Sequence, residues 1–225
     1  MPTTRERIRA ELTSEITDAA RRQLAEVGAA ALSLRAVARE LGMASSAVYR
    51  YFPSRDDLLT RLIIDGYDDL GAAAEPADDP TAPPGERWLA VCRAVRAWAL
   101  AHPHEYALLY GSPVPGYRAP ADTVPAASRV GVVLGRILGD AAHAGLLSPR
   151  TGERDAALVS DAALAVLGGE HPALDETVRV RALLAWSALF GTISFELFGH
   201  FVGSVEDADR YFDCVMGELA ALIGF

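Results

Sequence analysis

Lysine does not occur in the 225 residues, so all 21 basic side chains are arginine, set among abundant alanine and glycine as in high-GC bacterial genomes. Cysteine is nearly as scarce. Cys92 and Cys214 have no second thiol at ligand spacing, which excludes a disulfide framework and a paired-motif thiolate metal site, and fits a reducing cytosol. The N-terminus from Met1 to Arg9 is mixed in charge and is followed by no apolar stretch, so it does not read as a secretory signal, and a cytoplasmic location is expected. Long hydrophobic runs are missing too. The longest uncharged stretch, 182–195, has 14 residues and then meets Glu196, short of the roughly 18 to 20 residues of a membrane-spanning helix. It reads as a buried helix, with no membrane partner.

What is present in excess is carboxylate: 30 acidic residues give a formal net charge of −9, which argues against nucleic-acid binding over the whole surface. The charge is unevenly spread. Up to Arg61 there are ten arginines against eight carboxylates, and beyond it eleven against twenty-two. Any polyanion partner therefore belongs to the N-terminal segment. A hydrophobic share of 51% supports one to two domains of this length, burying roughly 70% of the unfolded surface.

Apolar residues at Ile8, Leu12, Ile16, Ala20, Leu24 and Val27 recur every three or four positions and end at Gly28, which predicts a first helix. Leu34, Val37, Ala38 and Leu41 predict a short second helix behind Ser33 as N-cap, closed by Gly42. A third helix is expected from about Ser45 to Tyr51, with Ala44, Ala47, Val48 and Phe52 inward, Ser45, Ser46, Tyr49 and Arg50 outward, and Pro53 as its stop. Ser54 and Asp57 form a capping box for a fourth helix reaching about Gly71. The proline-rich stretch that follows reads as a linker, and further helices are expected near 84–101, 103–110, 124–145, 153–168, 176–201 and 205–223. No alternating strand stands out, so the chain reads as all-α.

The second and third helices, joined through Leu41-Gly42-Met43-Ala44, meet the description of a helix-turn-helix. Small Ser45 and Ser46 let the second of them approach a groove closely. Arg50 is the candidate for bidentate pairing with guanine, Tyr49, Tyr51 and Arg55 are candidates for phosphates, and Arg35 for the groove wall. The stretch Leu34-Arg35-Ala36-Val37-Ala38-Arg39-Glu40-Leu41-Gly42-Met43, followed by Val48-Tyr49-Arg50-Tyr51-Phe52-Pro53-Ser54-Arg55-Asp56-Asp57-Leu58-Leu59, resembles the DNA-binding domain of TetR-family regulators. The resemblance covers about Ile8 to Leu62. It implies a homodimer on a palindromic double-stranded operator, a C-terminal domain that binds a small effector, and DNA contacts at Arg35, Ser45, Ser46, Tyr49, Arg50, Tyr51 and Arg55. Two positions depart from the family pattern: Ala44 stands where a polar residue is frequent, and Arg55 where lysine is usual. Trp186 to Gly191 resembles the segment that names the WHG type of TetR C-terminal domain, with Phe190 where that motif carries histidine.

Tyr67, Trp88, Tyr106, Tyr110, Trp186 and Phe190 are the candidate effector-facing aromatics, although aromatic residues of an all-α domain ordinarily serve the core. Proline between His102 and His104 prevents the i, i+4 spacing of a helical zinc pair. His143, His171 and His200 are isolated, and Asp68, Asp69, Asp78 and Asp79 read as solvated linker carboxylates. No metal or cofactor is expected. The nearly all-round apolar helix over 182–195 and the last helix predict a hairpin that pairs across a dimer.

The expected architecture is thus an N-terminal three-helix helix-turn-helix DNA-binding domain with its connecting helix over 1–71, a linker over 72–85, and a larger helical ligand-binding and dimerisation domain over 86–225. The expected function is a dimeric transcriptional repressor released by a small molecule, and not an enzyme. A small helical enzyme acting on an apolar substrate is the alternative, but the sequence has no Gly-x-Ser-x-Gly elbow, phosphate loop or dinucleotide fingerprint. An interaction module using the helix-turn-helix as scaffold is a third reading, distinguished by indifference to DNA.

Overall fold

The computed structural model describes residues 3–148 and 176–225. The helix expected over 153–168, and His171, lie outside the described residues. Within them the chain is helical: α1 Thr4–Val27, α2 Leu34–Glu40, α3 Ser45–Val48, α4 Arg55–Ala74, α5 Pro84–Ala101, α6 Pro103–Tyr110, α7 Val124–His143, α8 Glu176–Leu197 and α9 Ala208–Ile223. Short 3-10 turns occupy Ala29–Ala31, Glu75–Ala77 and Ala121–Thr123. The chain divides into two compact units, Met1–Tyr67 with His102–Thr123, and Asp68–Ala101 with Val124–Phe225.

The first unit is organised around Ile16, Ala19 and Ala20 of α1, Val37 and Ala38 of α2, Val48 of α3, and Leu58 and Leu59 of α4, all essentially removed from water. α1 begins four residues before Ile8 because Thr3 and Glu6 form a reciprocal capping box, the Glu6 amide donating to the Thr3 hydroxyl and the Thr3 amide to the Glu6 carboxylate. It ends at Gly28, whose φ of 74° suits glycine. Leu108, Val114 and Tyr117 pack against the same core, and the Tyr117 and Thr60 hydroxyls are 2.9 Å apart. Through these contacts α6 and the proline-rich loop after it group with the N-terminal unit.

The expected linker over 72–85 is largely structured, since α4 continues to Ala74, a 3-10 turn follows and α5 starts at Pro84. In the second unit, α5 is tied to α9 by the Trp88 indole N–H donating to the Met216 carbonyl at 3.0 Å and by a two-pronged Arg93–Asp213 pair. Arg96 of α5 binds both oxygens of Glu196 on α8 at 2.7 Å, reaches Asp209 on α9, and lies 5.1 Å over the Phe212 ring. By length and composition Thr177–Leu197 could cross a membrane, a longer apolar span than its uncharged run suggests. In this fold Ala185, Leu189 and Ile193 on one face are fully buried, and Glu196 is held by Arg96.

Of the four linker aspartates, Asp69 and Asp79 are exposed as expected, whereas Asp68 is paired and Asp78 is buried. Arg129 of α7 lies across α4 at Gly71, binding both oxygens of Glu75 and, through Nη1, the carbonyl and carboxylate of Asp68. A Cβ at position 71 would come within 2.8 Å of the Arg129 Cβ, so this approach requires glycine. Asp78, its side chain wholly buried, accepts from Arg87 at 2.6 and 3.1 Å and from Arg136 at 2.7 and 3.0 Å. Burial pushes the Asp78 carboxyl up, but the hydrogen bonds and charges of Arg87 and Arg136 outweigh it and hold the group below its ordinary 3.8.

Removing one partner of a buried pair leaves the other uncompensated. Asp78→Asn should therefore lower the unfolding free energy at pH 7 by about 3 to 5 kcal/mol in urea titrations. Because the folded-state value is depressed, this contribution is present above the ordinary aspartate value and is lost as pH falls through the folded one. The gap between wild type and variant should narrow below pH 3.8.

Candidate nucleic-acid interface

α2 terminates in a Schellman motif: the Met43 amide donates to the Ala38 carbonyl at 2.8 Å, the Gly42 amide to Arg39 at 3.2 Å, and Gly42 takes φ 64°. The chain reverses there and enters α3 from Ala44, an exposed N-cap with no side-chain oxygen to offer. α3 is shorter than the sequence suggests. Its α-helical part stops at Val48, and Tyr49, Arg50 and Tyr51 form a tightened final turn in which the Arg50 amide bonds Ala47 and the Tyr51 amide bonds Val48. Pro53 is the cause: its ring disfavours helical geometry at Phe52, so the turn must close. Val48 and Phe52 anchor this segment in the core.

The anchoring turns Ser46, Tyr49 and Arg50 fully outward, with Ser45 and Tyr51 half-buried. Arg35 and Arg39 of α2 are exposed as well. Among the described residues the guanidiniums of Arg35, Arg39 and Arg50 take no carboxylate partner, whereas Arg87, Arg93, Arg96, Arg129 and Arg136 of the second unit each hold at least one. Exposed, uncommitted guanidiniums beside hydroxyls on a short projecting helix can donate to phosphate oxygens and to the acceptor edge of guanine.

Arg55 is placed differently from its expected role on phosphates. Its Nε donates to the Leu32 carbonyl at 3.2 Å and its Nη2 to Ala29 and Ala30 at 2.7 and 3.0 Å. It thereby braces the first turn of α4 against the carbonyls that follow α1. At the start of the same helix, the Asp57 amide donates to the Ser54 hydroxyl, which in turn donates to the Asp57 carboxylate.

The six candidate effector-facing aromatics do not form one group. Tyr67, Tyr106 and Tyr110 come together in the first unit, with Tyr110 5.9 Å edge-on from Tyr67 and 5.1 Å from Tyr106. Burial pushes the Tyr67 and Tyr110 phenols up, Tyr110 further through its two tyrosine neighbours. In the second unit the Trp186 and Phe190 rings of α8 lie 4.7 Å apart, tilted at 56° to one another. Trp88 is instead a core residue beside Phe225, its indole N–H satisfied by Met216. Sequence reasoning missed Arg129, because Gly71, which it crosses, read as the end of the fourth helix rather than as a point of close approach.

A short helix anchored by two apolar residues, reached through a glycine turn and presenting arginine and hydroxyls outward, is the reading head of a helix-turn-helix DNA-binding regulator. Residues 16–62 match the family model described as bacterial regulatory proteins, tetR family, and residues 88–219 the model described as tetracyclin repressor-like, C-terminal domain. The HTH-type transcriptional regulators Rv1816 of Mycobacterium tuberculosis and Mb1846 of Mycobacterium bovis are each 40% identical over 231 residues, covering 96% of this chain and 93% of theirs. The crystal structure of protein SCO4313 is 38% identical, with a TM-score of 0.77 over 96% of this chain and 98% of that one. The chain belongs to the TetR family of DNA-binding transcriptional regulators.

Gly42→Ala should cost roughly 1 to 2 kcal/mol of unfolding free energy, because the site is open around a Cβ and the penalty is backbone strain alone. Arg55→Ala should cost about 1 to 3 kcal/mol through its lost carbonyl bonds. It should leave the salt dependence of DNA binding unchanged, as titrations from 50 to 200 mM salt would reveal.

Proposed function

We propose that the protein is a homodimeric repressor that binds a palindromic operator through α3 and releases it when a small molecule occupies the second unit. The observation that carries the reading is the set of exposed, carboxylate-free guanidiniums at Arg35, Arg39 and Arg50 around the helix-turn-helix. Arg50 reads guanine, Ser45, Ser46, Tyr49 and Tyr51 hold and approach the backbone, and Arg35 takes the groove wall. Arg55 acts one step back, bracing the helix that carries them.

Dimerisation is supported by what α8 and α9 leave uncovered. Leu184, Gly191 and Phe195 of α8 and Phe198 just beyond its end recur at three- to seven-residue intervals, and the three large ones are about half exposed. On α9, Tyr211, Cys214, Gly217 and Ala221 form a second exposed stripe of small and apolar residues. Two such hairpins related by a twofold axis bury each other as a four-helix interface. Twofold symmetry then presents two α3 helices to half-sites one helical turn apart, about 34 to 36 Å, or a multiple of it.

Effector release needs only that the ligand bind more tightly to the state that fits DNA poorly, a difference of typically about 1 to 3 kcal/mol. α4 is the connecting element, since Arg55–Tyr67 belongs to the first unit and Asp68–Ala74 to the second. Trp186 and Phe190, both in the second unit, are the proposed aromatic contacts for such a ligand.

Selection of bound duplexes from a random pool, with light scattering of the purified protein, tests the reading. A palindromic consensus and a dimeric mass are expected; a stable monomer indifferent to every duplex would refute it. On the selected operator, Arg50→Ala should lose about 1 to 3 kcal/mol of discrimination against a scrambled duplex in gel-shift titrations.

A further inference from the structure

The first turns of α1 contribute nothing to the core. Thr3 to Glu11 are all exposed, and full burial begins at Ile16. A helical extension of this kind is retained without packing, and its side chains are free to serve another purpose. Arg5 and Arg9, four residues apart, share one face of it. The Arg9 guanidinium lies 5.6 Å over the ring of Tyr51, the residue next to Arg50 in the turn that follows α3. That contact places a cation from α1 at the reading head. It is made through a ring face and consumes none of the N–H donors, which stay available to an anion.

Charge balance sharpens the point. Among the described residues Arg5, Arg7 and Arg9 pair with no carboxylate. The nearest acid, Glu6, is occupied by the amide and hydroxyl of Thr3, and those hydrogen bonds hold it below its ordinary value, so it stays ionised and engaged. The same capping box engages the Thr3 and Glu6 amides at the helix end. The full positive charges along this segment are those of the arginine side chains. Arg7 sits two residues from each of the other two and faces away from them.

We propose that the exposed start of α1 is a second DNA-contact element, in which Arg5 and Arg9 bind backbone phosphates of the duplex beside the groove entered by α3. The proposal rests on the DNA-binding function and extends its footprint. Phosphates carry no base identity, so Arg5 and Arg9 supply affinity while Arg50 supplies discrimination. Tyr51 takes on a second role, as the platform that holds Arg9 toward the duplex.

The test uses the full chain on its selected operator and on a scrambled duplex of equal length, with affinity followed from 50 to 200 mM salt. R5Q/R9Q should weaken binding to both duplexes by the same factor. It should also reduce the slope of log K against log salt by about 1.8 per protomer, at about 0.9 per phosphate contact. R5K/R9K should keep the slope, and R7Q should leave it unchanged. An unaltered slope in R5Q/R9Q, a loss confined to the operator, or an equal effect from R7Q would overturn the proposal. Thermal melts guard against a folding defect. Should R5Q/R9Q melt early, the single variants R5Q and R9Q decide, each expected to lose about 0.9 per protomer. Wild-type preference for the operator over the scrambled duplex tests the DNA reading separately, because Arg5 and Arg9 do not contribute to that ratio.

Discussion

Every cation in this protein is a guanidinium outnumbered by carboxylates, and how each one is satisfied organises the molecule. A guanidinium has five donors in a rigid plane and stays charged at any accessible pH, so inside a fold it must be met from several sides. In the second unit that demand is fulfilled across elements: Arg96 gathers α8 and α9 onto α5, Arg129 straddles α4 from α7, and Arg87 and Arg136 share the buried Asp78. These pairs supply geometric register more than net energy, because desolvating both ions offsets much of their attraction. In the first unit Arg35, Arg39 and Arg50 of the helix-turn-helix are exposed and, among the described residues, hold no carboxylate. A cation kept exposed and uncommitted in an acidic chain is disposed toward an external anion, and the polyanion that a helix-turn-helix meets is duplex DNA.

The reading head itself is a product of two chain stops. Gly42 permits the left-handed residue that completes the turn after α2, and Pro53 ends the following segment within two turns. Between them only Val48 and Phe52 are needed inside, so the remaining positions are free to carry groups suited to a groove. Arg55 adds rigidity from behind by holding the carbonyls after α1. Fixing these elements before DNA arrives reduces the ordering cost of binding.

Much of this was legible from residue order. The spans of α5 and α6 agree with the expected 84–101 and 103–110, because proline at or next to the helix start and an apolar period of three to four are local signals. The helix-turn-helix was legible for the same reason, its glycine, proline and small residues acting within a few positions. The end of α3 was misplaced because the apolar period continues through Phe52 while proline tightens the turn ahead of it. The packing of α6 onto the N-terminal core was not legible. A proline-rich stretch looks like a boundary, but Leu108, Val114 and Tyr117 meet the N-terminal core over long sequence separations that no local pattern encodes.

Local order alone determined the helical class and the place of the helix-turn-helix, since helix periodicity, capping and turn chemistry act over three to seven neighbouring residues, and the family was legible as a resemblance along the same stretch. Partner choice was left to the folded chain. Which arginines lock onto carboxylates, that Arg55 bonds carbonyls 23 to 26 positions away, that Asp78 is buried rather than solvated, and that Arg9 rests on Tyr51 all follow from packing between distant segments. Side chains of one chemical type are indistinguishable until that packing fixes what stands opposite each of them.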